Sequence, residues 1–322
     1  MNLGNELVDL SENASRSEWN SALKEFGSKY GFFEQLGKDH TALFARGGST
    51  LIVTFENLDH VFERSETRLP WGFDFVRSRG WSILGLMAHD WTWYRDGNVH
   101  DFFDRLRDEG FFEGFDRVVF YGASMGAYAA CVFSSASPGA TVIAISPQAT
   151  LDRTVASWET RYRKVWRRNF NDRYGYAPDM LADADQVYMF YDPLAPLDAM
   201  HAALFRGENI VKLRCRFQGH RIASAMQGMG ILKPVVEGCV DGTLTSAEFY
   251  KLLRKRREFP RYLKDLLLRI DAMDRPWLTV LYCEYVLSKR RGPAFRKRLN
   301  AAKVKLDRSN KGMGSGSKAG SK

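Results

Sequence analysis

The residues of this chain best suited to chemistry are Gly122-Ala123-Ser124-Met125-Gly126, a serine with a glycine two positions away on either side. Residues 117–121 before it read as a short buried strand, because Val118, Val119, Phe120 and Tyr121 form an unbroken apolar run. Residues 127–134 after it read as a helix of small and apolar side chains. A serine at that junction sits on a tight strand-to-helix turn with its hydroxyl pushed outward. A side chain at Gly122 or Gly126 would collide with the neighbours of the turn, and the backbone N–H of Met125 points to where an oxyanion would form. A serine hydroxyl is a poor nucleophile at neutral pH, so the chemistry also needs a neutral imidazole to take its proton and a carboxylate to hold that imidazole.

On this turn and the strand–helix alternation around it, the chain resembles the α/β-hydrolase superfamily over about residues 41–230. Ser-Met-Gly-Ala-Tyr-Ala-Ala (124–130), Ser-Pro-Gln (146–148) and Trp93-Tyr94-Arg95 look more narrowly like a bacterial subgroup of uncharacterised members sometimes linked with surface polysaccharide genes. The resemblance implies a triad in the order Ser, then Asp or Glu, then His. A strand over 186–191 runs into Asp192-Pro193-Leu194-Ala195-Pro196, similar to the family's segment after the strand that carries the acid, so Asp192 is the expected acid. Asp198 is its rival, although Pro196 can begin a helix and leave Asp198 as a solvated charge on the first turn. His201, one turn further, reads as a surface residue. Gly219-His220, a few residues past a strand at 210–215, matches the loop that delivers the family's histidine.

The resemblance thus implies Ser124 as nucleophile, His220 as base, Asp192 as orienting carboxylate and the Met125 N–H as one oxyanion donor. Many members carry His-Gly after the strand that supplies the second donor, whereas here residues 51–55 are followed by Glu56-Asn57-Leu58-Asp59. A backbone N–H needs no particular side chain, so Asn57 or Leu58 is the expected donor, while a Glu56 carboxylate facing the site would oppose the developing charge. The expected reaction is hydrolysis of a small-molecule or glycan ester through an acyl-serine, without cofactor or metal. An acyltransferase resolves the same intermediate with another alcohol. The alternative is an inactive binding or regulatory protein on the same fold.

Positioning these residues requires a mostly parallel α/β sheet. Residues 17–30 form an amphipathic helix with Trp19, Leu23 and Phe26 on one face, in an N-terminal segment over 1–40. Strands at 41–45 and 51–55 flank the glycine turn 46–49 and read as an antiparallel start. Further strands fall at 81–87 and 141–145, completing a hydrolase domain over 41–240. The loop 89–95 follows a strand's carboxyl end, where open α/β sheets place ligands, so Trp93, Tyr94 and Arg95 are candidate substrate contacts. A helical cap is expected over about 151–185, where aromatics such as Tyr162 and Trp166 alternate with cations such as Arg161 and Arg163. That composition suits an anionic or sugar-bearing substrate and equally suits a packed cap with solvated arginines.

The chain has 322 residues, 45% of them apolar, enough for a well-filled core. Its four cysteines lie far apart and suggest neither a disulfide framework nor a metal site. Residues 1–21 lack a cationic start with an apolar run, and no stretch is long and apolar enough to span a membrane, so the expectation is cytoplasmic. The formal charge of +9 is uneven: residues 243–308 hold 18 Lys and Arg against 7 Asp and Glu. A basic helical module is expected over 241–308, followed by a Gly/Ser/Lys tail that is disordered or a linker. The module lacks a nucleic-acid recognition motif, so its expected partner is another anionic surface.

Overall fold

The computed structural model describes residues 15–57 and 72–315. It opens on α1 (Arg16–Tyr30), whose first turn is closed by a reciprocal cap: Ser15 Oγ accepts from the Glu18 N–H and the Glu18 carboxylate accepts from the Ser15 N–H. Trp19, Leu23 and Phe26 on its inner face are buried, as the spacing requires. There follow β1 (Gly31–Leu36), β2 (His40–Ala45), β3 (Thr50–Asn57), α2 (Phe73–Ser78), β4 (Ser82–Ala88) and α3 (Gly97–Asp108). Then come β5 (Arg117–Ala123), α4 (Met125–Phe133), β6 (Thr141–Ile145), β7 (Gln186–Tyr191), α5 (Pro196–Leu204) and β8 (Ile210–Arg214).

These strands form one eight-stranded sheet in the order β1-β2-β4-β3-β5-β6-β7-β8. β2 runs antiparallel to β1 and β4, and every other neighbouring pair is parallel. β1 is not among the strands read from the sequence, because Gly-Phe-Phe-Glu-Gln-Leu lacks a clean alternation. The expected antiparallel pairing across the 46–49 turn is also corrected, since β4 lies between β2 and β3. The chain passes over the start of β4 instead of turning back on itself: Gly47 N–H donates to Ser82 Oγ at 2.8 Å, and Gly48 N–H donates to Gly80 O at 2.6 Å. A Cβ on Gly47 would lie 2.3 Å from the Trp81 carbonyl oxygen, so only glycine permits that crossing.

The core on one sheet face is aromatic. Phe103 stacks on Phe133 at 4.2 Å, and Phe55 stacks near both. Between β6 and β7, residues 151–185 differ from the expected helical cap: they carry two single-turn 3₁₀ helices, Arg163–Val165 and Asp179–Leu181, and are otherwise irregular. Side chains from the sheet unit satisfy this segment's backbone. Tyr128 Oη donates to the carbonyls of Tyr174 and Gly175, both at 2.9 Å.

After β8 the chain is helical: α6 (Ile222–Gly228), α7 (Leu232–Val240), α8 (Ser246–Leu253), α9 (Pro260–Ala272), α10 (Pro276–Lys289) and α11 (Pro293–Ser315). It divides into two compact units at Lys251/Leu252. Phe249 packs on Phe190 of β7 at 5.2 Å, which holds most of α8 with the sheet. In the second unit Tyr262, Leu263, Leu267 and Ile270 of α9 are buried, as are Cys283 and Val286 of α10. Pro260 and Pro276 open their helices at first-turn positions. Among the described residues no helix is long and apolar enough to cross a membrane.

Candidate active site

Ser124 occupies the turn between β5 and α4 with φ 53° and ψ −118°, a left-handed conformation that a non-glycine residue adopts only when its surroundings enforce it. The enforcement is visible. Ser124 N–H donates to Ile145 O of β6 at 2.8 Å, and Ser124 O accepts from the Ala127 and Tyr128 N–H groups at 2.9 and 3.0 Å. A Cβ on Gly122 would lie 2.1 Å from the Gly126 carbonyl oxygen, and one on Gly126 would lie 2.3 Å from that of Phe55. The two glycines let strand and helix close to a distance that projects the hydroxyl from the carboxyl ends of β5 and β6. Met125 is the first residue of α4, so its N–H has no acceptor within the helix and lies at the positive end of the helix dipole.

Ser124 Oγ donates to His220 Nε2 at 2.8 Å, and His220 Nδ1 donates to Asp198 Oδ1 and Oδ2 at 3.0 and 2.9 Å. The carboxylate beside the imidazole is therefore Asp198 and not Asp192, which corrects the sequence expectation. Asp192 is fully buried and spends both oxygens on backbone: Oδ1 accepts from the Leu194 N–H at 2.9 Å and Oδ2 from the Gly219 N–H at 2.7 Å. It holds the loop that carries His220 without reaching the ring. The five-residue turn from Asp192 to Pro196 starts α5 beside that loop, and Asp198 on its first turn meets the histidine. Far from a solvated end charge, its side chain is 1% exposed. The loop is fixed a second time by Ser146, whose Oγ donates to the His220 carbonyl at 3.0 Å.

The 151–185 segment, expected as a cap, lies over these groups, and what sequence reading missed is the Glu159–Arg161 pair it brings to them. Arg161 Nη1 donates to Asp198 Oδ1 at 2.6 Å. Its Nε and Nη2 donate to the Glu159 carboxylate at 3.0 and 2.6 Å. His201 is buried, not on the surface. Its Nδ1 accepts from the Ala149 N–H at 3.2 Å and its Nε2 donates to Glu159 Oε2 at 3.1 Å. Burial acts to raise the Glu159 pKa, but hydrogen bonds from His201 and Arg161 outweigh it and bring the carboxyl to about 2. For Asp198, too, burial acts upward while bonds from His220 and Arg161 prevail and lower it. The Tyr162 hydroxyl lies 3.2 Å from His220 Nε2 and also hydrogen-bonds Ser124.

The loop 89–95 is built differently from the expected substrate contact. Tyr94 is fully buried and donates its hydroxyl to Glu56 O at 2.7 Å, while burial, with the Glu56 carboxylate nearby, pushes its pKa upward. Arg95 is 7% exposed and donates to the carbonyls of Asn169 and Tyr174 at 2.8 and 2.5 Å and to the Asp172 carboxylate. Both hold the fold, and neither is presented to Ser124. Trp93 donates from Nε1 to Gln148 Oε1 at 3.0 Å and packs its ring 4.6 Å from Tyr162, so its reach to the site runs through that tyrosine. Asn57 ends β3 and donates from Nδ2 to Asp90 O at 3.2 Å, tying the strand end to this loop. Leu58, the other expected oxyanion donor, lies outside the described residues. Among the described residues no cluster of His, Cys, Asp and Glu has the arrangement of a metal site.

No protein-family model and no curated protein matches the chain. Solved structures do. An esterase from Pyrobaculum calidifontis is 14% identical, with 74% of this chain and 95% of that one covered at a TM-score of 0.41. The capsule O-acetyltransferase of Neisseria meningitidis serogroup A is 11% identical, covering 65% and 94% at 0.44. A thermostable carboxylesterase, EstE1, from a metagenomic library is 15% identical, covering 73% and 100% at 0.39.

Proposed function

We propose that this chain, which has the α/β-hydrolase fold, transfers acyl groups from carboxylic esters through an acyl-Ser124 intermediate. The observation that carries the reading is the unbroken relay from Ser124 Oγ through both nitrogens of His220 to Asp198, with the serine held in a left-handed turn. In the first half-reaction Ser124 Oγ attacks the acyl carbon and its proton passes to His220 Nε2, while Asp198 stabilises the imidazolium and keeps its own charge. The carbonyl oxygen becomes an oxyanion, received by the Met125 N–H at the start of α4 and by the backbone N–H at Asn57. Collapse of the tetrahedral intermediate breaks the ester C–O bond, and His220 returns the proton to the leaving alcohol.

In the second half-reaction, water or another alcohol gives its proton to the same nitrogen as its oxygen attacks the acyl carbon; the bond from that carbon to Ser124 Oγ then breaks, and His220 returns the proton to Oγ. The leaving and entering oxygens must both come within hydrogen-bond reach of Nε2, beside the Tyr162 hydroxyl. Tyr162 therefore borders the alcohol side of the site, with Trp93 and the half-exposed Trp91 packed around its ring. The substrate class this favours is a small-molecule or glycan ester whose alcohol moiety packs against aromatic faces. A fluorophosphonate probe tests the reading: labelling is expected at Ser124, and to vanish in Ser124→Ala. Absence of labelling in the unmodified chain would leave a binding or regulatory protein on this fold.

The basic second unit supplies a separate contact in this reading. Residues 252–322 hold 20 Lys and Arg against 6 Asp and Glu, and an excess of that size attracts polyanions through a field screened within about 8 Å at physiological salt. Reversing charge at the exposed Lys255, Arg257, Arg296 and Lys297 is expected to lower retention on anionic liposomes and heparin and to flatten its salt dependence. Unchanged retention would reduce these cations to solvated surface charges.

A further inference from the structure

The charges packed around His220 are one unit short of balance. Two carboxylates, Asp198 and Glu159, each 1% exposed in their side chains, share a single guanidinium, Arg161. His201 does not supply the missing charge. Its Nδ1 accepts from a backbone N–H, so it carries one proton, on Nε2, and is neutral, and burial lowers its pKa. Tyr162 and Ser124, the other groups on the ring, are neutral hydroxyls. Asp192 stands behind the loop with both oxygens on backbone N–H groups.

We propose that Glu159 and Arg161 are positioning residues of the catalytic centre, which leave the surroundings of Asp198 one positive charge short until His220 takes up the serine proton. The proposal rests on the reading of Ser124, His220 and Asp198 as an acyl-transfer triad. Its geometry is a crossed clamp. Asp198 and His201 lie three residues apart on one face of α5, Glu159 and Arg161 lie two apart on the overlying segment and bond each other, and Arg161 bonds Asp198 while Glu159 bonds His201. Arg161 Nη1 stands 3.5 Å from His220 Nδ1, close enough that its charge opposes the imidazolium directly, while Glu159 offsets that opposition from the far side of the guanidinium.

The two residues therefore push the imidazole in opposite directions, and neutralising each has a signed consequence. Without Arg161 the cluster gains net negative charge and His220 holds its proton to higher pH. Without the Glu159 charge, Arg161 acts on the ring unopposed and His220 loses its proton at lower pH. Glu159 stays ionised throughout this range, since its pKa is about 2. A segment that merely closes the site would weaken activity in both variants without moving the titration in opposite senses.

The test uses the intact chain with Arg161→Met, Glu159→Gln and the double variant. The midpoint of the His220 ring titration is followed by NMR, assigned by its loss in His220→Gln, beside the pH dependence of fluorophosphonate labelling. Arg161→Met is expected to raise the midpoint by about one pH unit and Glu159→Gln to lower it by a similar amount, with the double variant between them. Movement of both single variants in one direction, or no movement, overturns the proposal. Should Arg161→Met fail to fold with Glu159 left unpaired, Glu159→Gln and the double variant decide it: the double variant must titrate above Glu159→Gln. Titrations that shift as expected in a protein that the probe never labels would instead remove the acyl-transfer reading and keep the charge arrangement.

Discussion

Asp198→Asn should lower ester turnover by about four orders of magnitude, a loss of the size expected when an imidazole is left in the wrong tautomer. The neighbouring guanidinium makes that outcome more certain here than in a triad whose acid faces only its histidine. The asparagine amide has one acceptor oxygen, and Arg161 Nη1, which donates to Asp198 Oδ1 at 2.6 Å, can only donate. The oxygen turns to Arg161 and the NH₂ faces Nδ1, so the ring places its proton on Nε2, where it can no longer accept from Ser124. Asp192→Asn acts on another quantity. It sets an NH₂ against a backbone N–H of Gly219 or Leu194 and costs roughly 1.5–3 kcal/mol of stability, while turnover per folded molecule stays within about tenfold because His220 keeps Asp198. Turnover and thermal melting measured on both variants separate the roles. The opposite ranking of turnover would return the orienting role to Asp192.

Gly122→Ala should remove probe labelling altogether and destabilise the chain by about 3 kcal/mol or more. The added methyl would lie 2.1 Å from the Gly126 carbonyl oxygen and 2.2 Å from its carbon, both backbone atoms of a helix packed against the sheet, so no side-chain rotation relieves the contact. β5 and α4 must move apart, and the movement carries Ser124 away from Nε2. Gly139→Ala is the control. Gly139 has φ +81° with nothing within 4 Å of an added Cβ, so the substitution costs only the left-handed backbone penalty, roughly 1–2 kcal/mol, and labelling persists. Thermal melting and labelling of both proteins give the comparison, and a Gly122→Ala variant that labels at the normal rate would contradict the close approach at the serine turn.

What the sequence determined by itself is local. The serine turn was legible because its requirements are those of adjacent residues: an apolar strand, glycines where backbones approach, and a helix of small side chains. The strands at 141–145 and 186–191, and the proline-initiated helices of the basic unit, were legible for the same reason, since periodicity and first-turn prolines act within a few residues. His220 was legible as a histidine on a loop after a strand, although its meeting with Ser124 spans 96 positions.

Tertiary structure decided the rest. Asp192 and Asp198 are six residues apart, and the choice between them depends on what surrounds each once α5 docks beside the 219–220 loop: backbone N–H groups at Asp192, the His220 ring and Arg161 at Asp198. The 46–49 glycines resemble a hairpin locally, but β4 inserts between the strands they join because β3 pairs in parallel with both β4 and β5. Tyr94 and Arg95 carry groups suited to ligands, yet packing turned them inward, where carbonyls of distant segments use up their donors. Arg161 was legible only as one of the cap's cations and Glu159 not at all, because a cation two residues from an acid is an ordinary surface pattern. Only the fold brings the buried His201 and Asp198 against them, and there the cost of burying unpaired charge turns that pattern into a fixed arrangement.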